Sequence, residues 1–171
     1  DGADSFTVTD SGSLTGQVSG GLGSDTLTGA SNGNQFVVTA ADAGNLFESD
    51  GATRKIDNAG VTPGFTGIEN LAGGAGQDVF TVTAVGASLT GGISGRGEDD
   101  TITIGGNANV VGGAVTGDGG ADIINLDGAD VSGGGVDGGA GADQINLDGA
   151  ITGNLTGGTD DDIFTLDNTG A

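Results

Sequence analysis

Seven aspartates recur along this chain of 171 residues, each closing a glycine-rich stretch: Asp4, Asp25, Asp78, Asp100, Asp122, Asp143 and Asp162. Three of them sit in full copies of one nonapeptide, Gly20-Gly21-Leu22-Gly23-Ser24-Asp25-Thr26-Leu27-Thr28, Gly73-Gly74-Ala75-Gly76-Gln77-Asp78-Val79-Phe80-Thr81 and Gly138-Gly139-Ala140-Gly141-Ala142-Asp143-Gln144-Ile145-Asn146. Looser copies centre on Asp100, Asp122 and Asp162, and a truncated one on Asp4. Carboxylates repeated beside flexible turns can hold a hard cation. Calcium takes six to eight oxygens, from carboxylates and backbone carbonyls, and glycine lets loop carbonyls turn toward one point. The expected ligands are the seven aspartates, with the loop carbonyls of Gly20, Gly73, Gly117, Gly138 and Gly157 and support from Asp99, Asp160 and Asp161. Asp78, Asp100, Asp122, Asp143 and Asp162 would form one column, and Asp4 with Asp25 another. The same residues allow a second chemistry, since aspartate in a turn also caps backbone amides.

The spacing of these acids defines the elements that carry them. Successive aspartates lie 21, 53, 22, 22, 21 and 19 residues apart, and the 53 reads as two periods plus an insertion. A branched aliphatic precedes each complete copy's aspartate by seven residues: Val18, Leu71, Ile93, Val115, Val136 and Leu155. A glycine precedes it by five, and an apolar residue follows it by two, from Phe6 and Leu27 to Ile145 and Phe164. Segments such as Ile102-Thr103-Ile104 and Ile124-Asn125-Leu126 alternate apolar and polar residues, the signature of a strand with one buried face. A period this short cannot bury its own core, but stacked periods can. The expectation is an all-β chain: a right-handed parallel β-helix or β-roll solenoid of about 21-residue rungs. Residues 1–171 would form a single solenoid segment of a longer repeat protein. The stretch of about 30–67 forms an irregular rung, with Asn34–Thr39 a strand and an inserted loop or hairpin projecting between Glu48 and Pro63. Four positions depart from the motif. Glu98 and Asp160 replace one of its glycines, and Arg96 and Asp118 another, where a side chain opposes a left-handed backbone.

Composition excludes several functions. Glycine supplies 40 residues, and Cys, His, Met, Trp and Tyr are absent. There are therefore no disulfides, thiolate nucleophiles or imidazole bases. With 24 acidic residues against 3 basic ones and a net charge of −21, the chain cannot track a phosphate backbone, so nucleic acid is not a partner. No apolar run approaches the length of a membrane span.

The Gly-Gly-x-Gly-x-Asp-x-apolar-x nonapeptide resembles the RTX repeats of secreted bacterial proteins. With the stretches Ala150-Ile151-Thr152-Gly153-Asn154-Leu155 and Gly64-Phe65-Thr66-Gly67-Ile68-Glu69-Asn70-Leu71, the long period resembles the extended repeats of giant bacterial surface adhesins. The resemblance implies a calcium-rigidified stalk, spacer or adhesive module at the bacterial cell surface or in the extracellular space. Its partners would be neighbouring repeats of the same chain, a second copy in homotypic assembly, and a glycan or cell-surface ligand at the insertion.

Rival readings are weaker. A metal-free β-helix that self-assembles into a filament or layer needs no ion. An ice-binding module needs regular ranks of Thr or Asn; the rank Thr7, Thr28, Thr81, Thr103, Asn125, Asn146, Thr165 is regular, but its neighbour is broken by Val79, Ile123 and Ile163. A polysaccharide-active enzyme could use Asp99-Asp100 or Asp160-Asp161-Asp162 as paired carboxylates, yet a general acid needs a raised pKa, typically from burial, and these lie in polar turns. The expectation is therefore that the chain is not an enzyme.

Overall fold

The computed structural model describes residues 1–57 and 63–167. Every helix or strand element among them is a strand, and the strands coil into a parallel β-solenoid of about seven turns with a spacing near 21 residues. A seven-stranded, a nine-stranded and a three-stranded sheet form its main faces.

Alternation along each strand builds the core. Val79–Val82, Thr101–Gly105, Ile123–Asp127 and Gln144–Asp148 pair in parallel with no register shift. Phe80, Ile102, Ile124 and Ile145 therefore fall in one inward column, all fully buried, while Thr81, Thr103, Asn125 and Asn146 face outward. The seven-stranded sheet contributes Leu27, Leu71, Ile93, Val115 and Val136. The three-stranded sheet adds Leu89, Val110 and Val131, each with a buried alanine two residues before it. Like side chains stack on like, so a narrow core runs the length of the rod and no turn has one of its own.

The regular period hides a change of face. In the first two turns, the strands that follow the aspartate, Ser5–Thr7 and Thr26–Thr28, lie in the seven-stranded sheet. In the later turns, that sheet takes the strands that precede the aspartate, Ile93–Gly97, Ala114–Gly119, Gly135–Ala140 and Asn154–Thr159. The strand Asn70–Ala72 makes the exchange. Leu71 pairs with Leu27 on one side and with Ile93 on the other. The aspartate turn thus moves by one face of the rod across the insertion. The rank of threonines and asparagines expected as one row is split in the same way: Thr7 and Thr28 lie in one sheet, Thr81 to Thr165 in another.

The insertion is part of the wall. Asn34–Ala40 pairs in parallel with Val79–Val82 and turns into Ala43–Glu48, an antiparallel hairpin within the nine-stranded sheet. Phe36, Val38 and Leu46 are fully buried, and the Phe36 ring stacks on Phe80 at 4.7 Å between centroids and 4° between planes. Within Glu48–Pro63, Ser49, Asp50, Ala52 and Thr53 lie in an exposed turn closed by the Phe47–Arg54 bridge, whereas Lys55 and Ile56 pack inward. Lys55 is 2% exposed, its ammonium donating to the Asp10 carbonyl and lying 3.4 Å from Glu48. Ile56 is buried beside it. Residues 58–62 of that stretch lie outside the described residues.

The stacked pair is where the hairpin joins the rod. Phe80→Ala should cost about 3–5 kcal/mol in urea unfolding, and a loss under about 1 kcal/mol would show that the two do not pack as one core.

Candidate functional site

From Asp78 to Asp143, each aspartate turn has an amide at its apex that donates to the aspartate carboxylate of the next turn. The N–H of Asp78 donates to Oδ1 of Asp100 at 2.7 Å, Asp100 to Asp122 at 2.7 Å, Asp122 to Asp143 at 2.8 Å and Asp143 to Asp162 at 3.0 Å. The main chain returns the contact: Thr101 N–H donates to the Asp78 carbonyl and Ile123 N–H to that of Asp100, both at 2.9 Å. Asp78, Asp100, Asp122 and Asp143 are all about 1% exposed. The five later aspartates form one column, as their spacing predicts.

Asp4 and Asp25 form a second column at a different edge of the rod. Asp4 N–H donates to Asp25 Oδ1 at 2.7 Å, and Asp25 N–H donates to Glu69 Oε2 at 2.7 Å. Glu69 precedes Asn70–Ala72 just as Asp25 precedes Thr26–Thr28, so it continues the column. Asn34 plays the corresponding part in the longer column. It stands one residue before the Gln35–Val79 pair, and its Nδ2 donates to Asp78 Oδ1 at 2.7 Å and to the Ala30 carbonyl at 2.7 Å. Neither residue is an aspartate in the motif, so the repeat count misses both. The signal for Asn34 is Gly33-Asn34-Gln35-Phe36, a glycine–polar–x–apolar copy of the motif's second half.

The glycine five residues before each aspartate makes room for the carboxylate. A methyl group on Gly95, Gly117 or Gly138 would collide with Oδ2 of Asp100, Asp122 or Asp143 and with the carbonyl oxygen of Gly117, Gly138 or Gly157 in the next turn. None of these three glycines has a positive φ, so space, not backbone freedom, is what demands glycine there. The motif's substituted positions do take the left-handed backbone: Arg96 at φ 85°, Glu98 at 66°, Asp118 at 73° and Asp160 at 81°. The side chains at these positions do not prevent the turn from closing.

The second carboxylate oxygens differ from the first. Oδ2 of Asp25, Asp100, Asp122 and Asp143 is buried with no hydrogen-bond partner. Asp78 is the exception, because Gly74 N–H reaches its Oδ2 at 2.7 Å. Gly21, Arg96, Asp118 and Gly139 hold Gly74's place in the other four turns, and all have positive φ whereas Gly74 does not. One backbone rotation thus decides whether the carboxylate has a second donor.

Burial pushes these acids upward, the Asp100 carboxyl to about 7 and that of Asp122 to about 6. Desolvation leads, and neighbouring carboxylates add to it: Asp78, Asp122 and Asp118 for Asp100, and Asp143, Asp99 and Asp118 for Asp122. Burial also raises Asp78 and Asp143.

One oxygen of each later aspartate is committed to an amide, and the other is sealed against a glycine Cα in the Asp100, Asp122 and Asp143 turns. Asp99, Asp160 and Asp161 are exposed, and Asp99 Oδ1 caps Ala121 N–H at 2.8 Å. Among the described residues no three acids gather closely enough to share a metal ion. A calcium ion needs six to eight open oxygens. No helix among the described residues is long and apolar enough to cross a membrane. No protein-family model matches the sequence, and neither does any curated protein or solved structure.

Two outcomes follow. Gly117→Ala should destabilise by about 1–3 kcal/mol or more through overpacking, while Gly119→Ala, whose methyl would meet only the Arg96 carbonyl at 3.5 Å, should be nearly neutral; equal losses in urea unfolding would remove the steric argument. The folded acids titrate above their unfolded value of 3.8, so the stability they give is full below that value and is lost as pH rises through about 6 to 7. The urea midpoint should therefore fall between about pH 4.5 and pH 8, and a midpoint that rises over that range would contradict the burial of these groups.

Proposed function

We propose that this chain is a structural, non-catalytic solenoid segment acting as a stalk or spacer of a large secreted or cell-surface bacterial protein, held together by its own hydrogen bonds. The observation that carries this reading is the unbroken pairing of turn on turn. The seven-stranded sheet passes directly from Thr26–Thr28 to Asn70–Ala72, the nine-stranded sheet takes in the insertion's hairpin, and a buried side-chain ladder ties the apexes of the later aspartate turns together. Such a rod transmits length and stiffness. Acids that serve as amide acceptors in a dry column are not available as a nucleophile or proton shuttle for a substrate. The extracellular setting and the likeness to surface adhesins rest on the sequence resemblance, carried by the nonapeptide, the long period and the stretches 64–71 and 150–155.

Circular dichroism of the chelated chain tests the metal-free part of this reading. The expected result is full β signal without calcium, and a thermal midpoint that calcium and magnesium raise equally by screening the net charge. A coil-to-β transition produced by calcium and not by magnesium would overturn it and restore the calcium-rigidified stalk. Small-angle scattering in chelator tests the spacer role, with a rod-like profile expected and a globular one contradicting it.

A further inference from the structure

The change of face at Asn70–Ala72 leaves a groove of about 550 Å³ that a uniform repeat would not have. The first two turns line it with residues that follow an aspartate, Thr7 and Asp10, then Thr28 and Ser31. The next two line it with glycine-loop residues that precede an aspartate, Gly74 and Arg96. In the later turns, only loops of the second kind stand side by side. The floor of the groove is sunken. Thr28 follows the inward-facing Leu27 and pairs with Ala72, so both stand on the outer face of the sheet, yet they are only 8% and 6% exposed. The Thr28 hydroxyl meets no hydrogen-bond partner among the described residues. A polar group so placed costs free energy until it finds one.

The two rims carry opposite charges, and both are unspent. Asp10 is pinned in place. Its Oδ1 accepts from Ser31 N–H at 2.7 Å and Asn32 N–H at 3.2 Å, and its carbonyl accepts from the buried Lys55. Its Oδ2 has no donor among the described residues. Of the three basic residues, Lys55 pairs with Glu48, while Arg54 donates to Asn45 at 3.0 Å and lies over the Phe47 ring. Arg96 does neither. Asp118 is its register neighbour, yet that carboxylate takes the Ser94 hydroxyl. Arg96 is exposed, with no hydrogen bond or ion pair among the described residues. It stands where the motif has glycine and takes a left-handed backbone, φ 85°, to put its charge on this rim.

We propose that this groove binds a neutral sugar unit of a glycan. A carboxylate oxygen that accepts, a guanidinium that donates and hydroxyls that do both form the set a polyol can satisfy. Asp10 would take hydrogen bonds from sugar hydroxyls, and Arg96 would give them to hydroxyl or ring oxygens. Gly74, without a side chain, leaves the backbone open to close approach. The rims cancel in charge. An anionic sugar would meet Asp10 and the chain's net charge of −21, and a cation would meet Arg96, so a neutral ligand suits the groove best.

Amide chemical shifts of the 15N-labelled full chain, titrated in chelator with D-glucose, D-galactose and D-mannose, test the proposal. At least one hexose should shift Ser31, Asn32, Gly74 and Arg96 saturably, and D-glucuronate should bind no better. Arg96→Gly restores the motif's residue and fits the positive φ, so it should keep the thermal midpoint while weakening binding about tenfold or more. Asp10→Asn keeps an oxygen for the Ser31 and Asn32 amides and should weaken binding similarly. Thr156→Ala, on the same sheet but in a later turn, should leave binding unchanged. The proposal is overturned if none of the three hexoses gives a saturable shift, or if Arg96→Gly and Asp10→Asn both bind as the parent does. Tighter binding of glucuronate than of every neutral hexose also overturns it, making the groove an anion site. None of these residues belongs to the aspartate ladder, so the rod stands whichever way the titration falls.

Discussion

A carboxyl group lying under the apex of its own turn and accepting the amide of the turn before it is the contact on which the rest of this rod depends. A parallel β-solenoid must satisfy backbone amides where the chain changes direction, because no strand neighbour reaches them there. In this protein the aspartate side chain substitutes for that neighbour, once per turn, at 2.7–3.0 Å along the later column. The glycine five residues earlier exists because the carboxyl has to fold inward over it. The apolar residue two positions later then points into the core as the chain enters the next strand. Glycine, aspartate and aliphatic are one device, and each constrains the other two.

That device concentrates like groups. Stacking acids one strand spacing apart, sealed from water, disfavours their charged forms by burial and by mutual repulsion. Hydrogen bonds from Asn34 and Gly74 oppose this effect at Asp78, whose carboxyl burial still raises, while Asp100 and Asp122 each have a single backbone amide to offset it. The remaining acids lie mostly on exposed turns, where water screens them. A chain with a net charge of −21 therefore separates its carboxyls into a buried, hydrogen-bonded set and a solvated set.

The insertion shows how a repeat tolerates interruption. The hairpin Asn34–Glu48 does not leave the rod; it enters the nine-stranded sheet, and Phe36 stacks on Phe80 to extend the inward column. Asn70–Ala72 then serves two turns at once, following Glu69 as Thr26–Thr28 follows Asp25, and preceding Asp78 as Ile93 precedes Asp100. The hydrophobic core runs on while the aspartate turn moves to the next edge. Leu71 can pair with both Leu27 and Ile93 because the two positions present the same aliphatic inward, whichever side of an aspartate they occupy.

Sequence alone determined the solenoid, its period of about 21 residues, the division of the aspartates into two columns and the inward-facing residues from Phe80 to Ile145. All of these follow from local alternation and fixed offsets, which repeat identically in every turn. Only the tertiary structure decided what the aspartates touch. Whether a carboxyl's second oxygen meets a backbone donor goes with the backbone conformation at Gly74, Arg96 and Asp118, which no spacing encodes. The parts played by Glu69 and Asn34, the buried place of Lys55 and the change of face at Leu71 were hidden for the same reason. Each arises from a partner more than 40 residues away or from a turn that lacks the motif, and contacts of that kind exist only once the chain has coiled.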